Sequence, residues 1–148
     1  MHPDGYFALV LDEEARVLLT AHYATLPNPI AHHCTVRYGT QSTEDLPTVF
    51  SSHDLGREFR LKVIGRLDRP DSGLEALVVA LLLGDVQIMK NGFSENAIPH
   101  ITVATDGSAE PVAVNDLLKE GYIEFDGPIL KATLRHTRVS SKAALAKA

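Results

Sequence analysis

The sequence predicts a mixed α and β fold made of two related halves, and three observations predict it. Several stretches read as strands, either rich in strand formers ("GYFALVLD", "LEALVVALLL") or alternating at the two-residue period ("REFRLKVIGRLD"). The elements run β-α-β, then β-β, then β-α-β. A tetrapeptide recurs at matching places near the two ends, "HCTV" at His33–Val36 and "HITV" at His100–Val103. At 148 residues the chain is long enough for a core of its own, so positions 1–148 are read as one domain, with a frayed tail from about 140.

"GYFALVLD", from Gly5, is rich in strand formers and runs into an acidic cluster. "DEEARVLLTAHYATL" then reads as a helix: Ala15, Leu18, Leu19 and His22 recur at helical spacing, and Asp12, Glu13 and Glu14 favour the positive end of its dipole. "PNP" at Pro27–Pro29 stops it. "AHHCTVRYG" is the next strand, and the polar stretch Thr40–Gly56 is a connection with a short helical turn. "REFRLKVIGRLD" alternates cleanly, with Phe59, Leu61 and Val63 opposed to Glu58, Arg60 and Lys62. "RPDSG" is turn chemistry, and it joins this strand to the buried strand "LEALVVALLL" as a hairpin.

"GDVQIMKNGFSENAIP" has no clear period, and its last ten residues lead straight into the second motif, where a loop can select substrate. "HITVAT" is a short strand. "EPVAVNDLLKEG" is a helix with Pro early and Gly121 at its end. "YIEFDGPILKATLRHTRV" gives one or two final strands, bent at "DGP".

Composition limits the function. The net charge of −5 argues against a broad groove that tracks extended double-stranded nucleic acid, but leaves room for a compact phosphate pocket. Two basic groups, Arg57–Arg69 and Lys131–Lys147, read as solvated strand faces and tail, with one or two members as candidates to face a phosphate. No apolar run reaches the roughly 18 residues of a membrane span, and the start "MHPDGYF" lacks the pattern of a secretory leader. A single cysteine, Cys34, forbids an intrachain disulfide and fits a reducing compartment. The expected location is cytoplasmic, with no membrane partner.

In extended backbone His33 and Thr35 share one face of a sheet, as do His100 and Thr102. Opening a phosphodiester needs a base for the attacking oxygen, an acid for the departing one and donors for the non-bridging oxygens. Two imidazoles titrating near neutrality suit the first two roles, and two hydroxyls suit the third. The arrangement calls for no metal and no cofactor, and the sequence carries no HExxH, cysteine cluster or Asp-rich loop.

The pair "HCTV" and "PHITVAT" resembles the signature of the two-histidine (2H) phosphoesterase superfamily. With "ALVVAL" before the second motif and "NDLL" after it, the chain is most similar to the cyclic phosphodiesterase domain of fungal and plant tRNA ligases. The likeness covers most of the chain in element order and is sharp only at the motifs. It implies a bilobal fold, with two pseudo-symmetric lobes of antiparallel sheet flanked by helices and an active-site cleft between them. It also implies hydrolysis of a 2′,3′-cyclic phosphate at an RNA end or on a nucleotide, typically to a 2′-phosphate, as in RNA processing and repair. On the matching positions His33 and His100 would be the acid–base pair, and Thr35 and Thr102 the phosphate ligands. The residues alone leave open which histidine is the base.

The 67 residues between His33 and His100 leave little room for the helices some members insert there, and the ligase and kinase domains of tRNA ligases are absent. Other readings therefore stay open. One is a nuclease that opens cyclic di- or oligonucleotide signals, as phage anti-defence enzymes do. Others are a catalytically silent RNA-end or nucleotide-binding module, and a two-histidine metal site.

Further residues carry weaker expectations. Arg37 falls on the face of His33 and Thr35 and could neutralise phosphate. Tyr38 and Phe93 could stack on a base. His32 and Cys34 fall on the opposite face and are read as structural; His136, with Thr137 at the wrong offset, is a decoy.

Overall fold

The computed structural model of the protein describes residues 5–40, 42–84 and 87–138; the expected tail from about 140 lies outside them. The fold is mixed, mostly strand with few helices. In chain order it comprises β1 (Gly5–Leu11), α1 (Glu13–Tyr23), β2 (Asn28–Pro29), β3 (His33–Thr40), β4 (Glu58–Arg66), β5 (Leu74–Leu83), β6 (Gln87–Met89), β7 (His100–Thr105), α2 (Val114–Lys119), β8 (Ile123–Glu124) and β9 (Ile129–Arg138). Short 3-10 turns at Thr43–Asp45 and Ser52–Asp54 interrupt the polar connection, as its composition predicts. Among the described residues no helix is long and apolar enough to cross a membrane.

The strands close into an antiparallel barrel. Around the ring the order is β7-β3-β1-β9-β4-β5, and β5 pairs back onto β7. β2, β6 and β8 are short additions to β7, β5 and β4. Closure leaves no long unpaired edge on the ring strands. Alternation explains the filling: one buried cluster takes side chains from all six ring strands, among them Phe7, Val36, Leu61, Val79, Ile101 and Leu134. Each buried Leu or Phe of this set is worth about 1.5–3 kcal/mol. The outer wall bears the charges expected of it, with Arg60, Lys131 and Arg135 exposed.

The helices cover two places. Asp12 caps α1 by accepting a hydrogen bond from the Ala15 backbone N–H at 2.8 Å, and Ala15 and Leu19 join the main core. His22, expected on the same stripe, is exposed. The helix stops at Tyr23, before the expected "PNP". The Glu75 carboxylate on β5 instead takes hydrogen bonds from the Thr25 and Leu26 backbone N–H groups, at 2.8 and 2.9 Å. α2 packs Val114 and Leu118 on Leu74, Ala76 and Val78 of β5 in a second, smaller cluster.

The β4–β5 hairpin turns at Pro70–Ser72, and Gly73 takes φ +75°, a left-handed conformation that glycine adopts without strain. Much of the basic group Arg57–Arg69 is neutralised at the surface: Arg57 pairs with Asp54 at 2.9 Å, Lys62 with Asp126 at 2.5 Å, and Arg69 with Glu120.

Candidate active site

The two His-x-Thr segments lie on neighbouring strands. β3 and β7 meet at the pair Cys34–Ile101, whose side chains point into the core. One position to either side, antiparallel register sets His33 near Thr102 and Thr35 near His100, on the outer wall. Despite facing outward all four are buried, at 5% exposure for His33 and Thr102, 1% for Thr35 and 0% for His100. On the β5 side, Ala76 pairs with Thr102 and Val78 with His100, and α2 covers that patch.

Burial leaves polar atoms stranded. His33 Nε2, His100 Nε2 and Thr102 Oγ1 have no hydrogen-bond partner among the described residues. Such atoms are uncommon in folded proteins, and each one calls for an explanation. The other nitrogen of each imidazole is engaged. His100 Nδ1 lies 2.9 Å from the Ile98 carbonyl oxygen. A carbonyl only accepts, so the proton sits on Nδ1 and the neutral ring is bare at Nε2. His33 Nδ1 lies 3.0 Å from His32 Nδ1.

Electrostatics keep both imidazoles neutral. Burial, with the neighbouring His32 and His100 rings, pushes the His33 pKa down to about 3. Burial lowers His100 too, and its bond to the Ile98 carbonyl works against that shift. His32 is lowered by partial burial and by the Arg16 guanidinium. Burial raises the Cys34 thiol to about 12, so at neutral pH it is an inert core residue, as its position on the strand predicts.

Two irregularities decide which other side chains join the site. The first is at Ala31, φ +41°, the only residue other than glycine with positive φ among those described. β2 and β3 run along β7 as one interrupted strand. Ile30 and Ala31 donate to the Val103 and Thr102 carbonyls, and the register then slips before Cys34 meets Ile101. The slip is a bulge, and it turns His32 toward His33. Strict alternation puts His32 on the opposite face; the structure corrects this.

The second irregularity is the register shift between Phe7 and Ala8 of β1, across from Thr35 and Arg37. It brings Tyr38, not Arg37, onto the face of Tyr6 and Thr35. Arg37 is exposed. Tyr38 stacks on Tyr6 at 4.8 Å between ring centroids, and Tyr6 tilts against His33 at 5.3 Å. Phe93, a candidate for base stacking, is fully buried in the main core and offers no face to a base. The loop that carries it is stitched to β3: Ser94 Oγ donates to the Thr35 carbonyl at 2.7 Å, and the Tyr38 N–H donates to Glu95 at 2.9 Å. His136 packs edge-on against Phe7 and takes no part.

A cleft of about 880 Å³ opens against His33, walled by Tyr6, Arg16, His32, Asn28–Ile30 and the loop after β7 from Gly107 to Pro111. Arg16 is the lysine-or-arginine cation of its lining, and its Nε donates to the Ala31 carbonyl at 3.3 Å. Sequence reasoning missed Tyr6, Arg16 and the engagement of His32. Tyr6 and Arg16 carry no motif, and the bulge that recruits His32 leaves no mark in the hydrophobic pattern. Among the described residues no three His, Cys, Asp or Glu side chains are placed to hold a metal ion together.

No family model matches the chain, and no curated protein matches it.

Proposed function

We propose that the protein is a metal-independent phosphodiesterase of the two-histidine type that hydrolyses 2′,3′-cyclic phosphates of RNA ends or nucleotides to 2′-phosphates. The observation that carries this reading is the group of buried, unpartnered atoms His33 Nε2, His100 Nε2 and Thr102 Oγ1 on one face of two adjacent strands. A base, an acid and a hydroxyl donor with nothing of the protein to bind are what an in-line opening of a phosphodiester requires.

The order of strands around the ring supports the bilobal part of the reading. Exchanging β3 with β7, β1 with β5 and β9 with β4 leaves the ring unchanged and carries His33–Thr35 onto His100–Thr102. In this reading the lobes are the two halves of the barrel wall, and the site lies across their seam.

His33 acts as the base. It removes a proton from water as that oxygen bonds to phosphorus. His100 is the acid, acting from its imidazolium form: with Nδ1–H held by the Ile98 carbonyl, Nε2 first takes a proton from solvent and then gives it to the ribose 3′ oxygen as the P–O3′ bond breaks. This assignment follows from the second contacts of the rings. The Ile98 carbonyl on His100 Nδ1 favours the imidazolium form, whereas His33 Nδ1 meets the His32 imidazole and its neighbouring His32 and His100 rings disfavour that form. Thr35 and Thr102 hold the non-bridging oxygens, and Arg16 answers the phosphate charge from the cleft.

The size of the cleft favours a second reading. The cleft reaches His33 but is not lined by His100, Thr35 or Thr102; its volume of about 880 Å³ lies at the upper end of small-molecule sites and suits a ligand larger than a mononucleotide. A cyclic di- or oligonucleotide would use the same histidines, with a ribose 2′-hydroxyl as nucleophile. The test is turnover of the four nucleoside 2′,3′-cyclic monophosphates and of 3′,5′-linked cyclic dinucleotides in excess EDTA, by wild type, His33→Ala and His100→Ala. Mononucleotide turnover lost in each single variant supports the first reading. Turnover of dinucleotides alone supports the second. Binding that survives both substitutions, with no turnover of any substrate, marks a silent binding module and overturns both.

A further inference from the structure

We propose that His32 is the positioning residue of the base. Its Nδ1 accepts a hydrogen bond from His33 Nδ1–H, which fixes the tautomer that leaves His33 Nε2 bare toward the reacting atoms. The inference rests on the two-histidine reading for its catalytic meaning, though not for the hydrogen bond itself.

The geometry is specific. The two Nδ1 atoms are 3.0 Å apart, and the rings stand nearly perpendicular, at 82° with centroids 5.2 Å apart. Two nitrogens at that distance share one proton, so one ring donates and the other accepts. His32 is half-buried and lines the cleft, where its remaining nitrogen can donate to solvent. His33 Nε2 is sealed from solvent and has no acceptor. With the shared proton on His33, each ring N–H has a partner; with the proton on His32, His33 keeps an N–H with none.

The backbone holds this arrangement from both sides. The His32 carbonyl accepts a hydrogen bond from the Leu11 N–H at 2.9 Å, and Arg16 fixes the Ala31 carbonyl next to it. Ala31 is held left-handed, at a cost of order 1–3 kcal/mol that a regular strand would avoid. A regular strand would also send His32 to the other face.

The groups that face the pair are Arg16 from α1, Tyr6 from β1, His100 from β7 and Glu110 from the loop across the cleft. Arg16 opposes protonation of His32 and so preserves its lone pair as an acceptor. Among the described residues His33 has no carboxylate as hydrogen-bond partner, and an imidazole fills the orienting place that a carboxylate or carbonyl commonly takes.

The test combines nitrogen NMR of the imidazoles at pH 7 with steady-state turnover, using the full chain as wild type, His32→Phe and His32→Asn. In wild type His33 should be protonated at Nδ1 and bare at Nε2. His32→Phe keeps a ring but loses the acceptor, and should mix the two His33 tautomers. It should also lower kcat about 10- to 100-fold, the scale seen when the orienting partner of a metal-bound histidine is removed, with KM within about threefold. His32→Asn supplies an amide oxygen and should restore both readouts to within about threefold of wild type.

A wild-type His33 protonated at Nε2 would overturn the proposal, as would a His32→Phe protein that keeps both its tautomer and its kcat. If wild type turns over no cyclic phosphate, the functional reading fails, and the NMR result still decides the pairing. Should His32→Phe not fold, the wild-type tautomer and the Asn variant decide it.

Discussion

Replacing Thr102 with valine should make the protein more stable and less active. Thr102 is 5% exposed, and its hydroxyl has no hydrogen-bond partner among the described residues. Burying an unpaired hydroxyl costs about 1–3 kcal/mol, and valine keeps the branched shape that a strand favours while removing that hydroxyl. At roughly 3 °C per kcal/mol for a chain of this size, Tm should rise by about 3–8 °C. Thr35 is the control. It is also buried, at 1% exposure, but its hydroxyl is not among the unpartnered atoms, so Thr35→Val should lower stability by about 1 kcal/mol. Loss of one donor to a non-bridging oxygen should lower kcat/KM by about 100-fold in each variant. Thermal denaturation of both proteins beside the cyclic phosphate assay decides the matter. A Thr102→Val protein destabilised as much as Thr35→Val, or one with full turnover, would refute the view that the hydroxyl is held unpaired for a ligand.

Two further outcomes follow from the same structure. His33 is depressed to about 3 when folded and titrates near 6.5 when unfolded, so between those values the unfolded state binds more protons; its contribution is complete above about 6.5 and is lost as pH falls through that window. By pH 5 the loss is about 2 kcal/mol, and His33→Phe should flatten this part of the Tm–pH curve; an unchanged slope would contradict a buried neutral His33. Gly73→Ala should cost more than about 1 kcal/mol and raise KM for the substrate, because φ is +75° there and a Cβ would lie 2.3 Å from the Asp106 carboxylate and the Ser108 hydroxyl, at the start of the loop that walls the cleft; calorimetry and KM together check this.

Much of this architecture can be read from the order of residues, because it rests on short-range periodicity. The alternation of Phe59, Leu61 and Val63, the acidic start of α1 and the turn at Gly73 all follow from local chemistry. So does the placing of His33 with Thr35 and of His100 with Thr102. Closure of the sheet into a barrel depends on pairings far apart in sequence, such as β9 with β4 and β5 with β7, and no local pattern specifies them. The bulges at Ala31 and near Thr35 come from hydrogen bonding between strands. They therefore turned two expectations around: His32 joins the site and Arg37 leaves it. Phe93 shows the opposite failure. An aromatic residue in an irregular loop invites a functional reading, yet its apolar surface is worth more in the core.

The state of the two imidazoles bears on the choice between catalysis and mere binding. A module that only bound phosphate would be served by N–H donors or by a fixed cation, since these attract an anion. A neutral ring bare at Nε2 presents a lone pair to the phosphate oxygens, and two lone pairs repel. Such a nitrogen becomes favourable only when a proton moves: onto it from an attacking hydroxyl, or from it, once protonated, to a leaving oxygen. Among the described residues both Nε2 atoms are buried and unpaired, and Ala31, two residues before His33, is held at φ +41°. Apolar side chains such as Ala76 and Val78, their neighbours on β5, could occupy those places with none of these penalties. The distribution of unfavourable terms therefore argues for proton transfer at the seam of β3 and β7. Strands of a closed barrel are suited to it, because they hold both rings more rigidly than loops could.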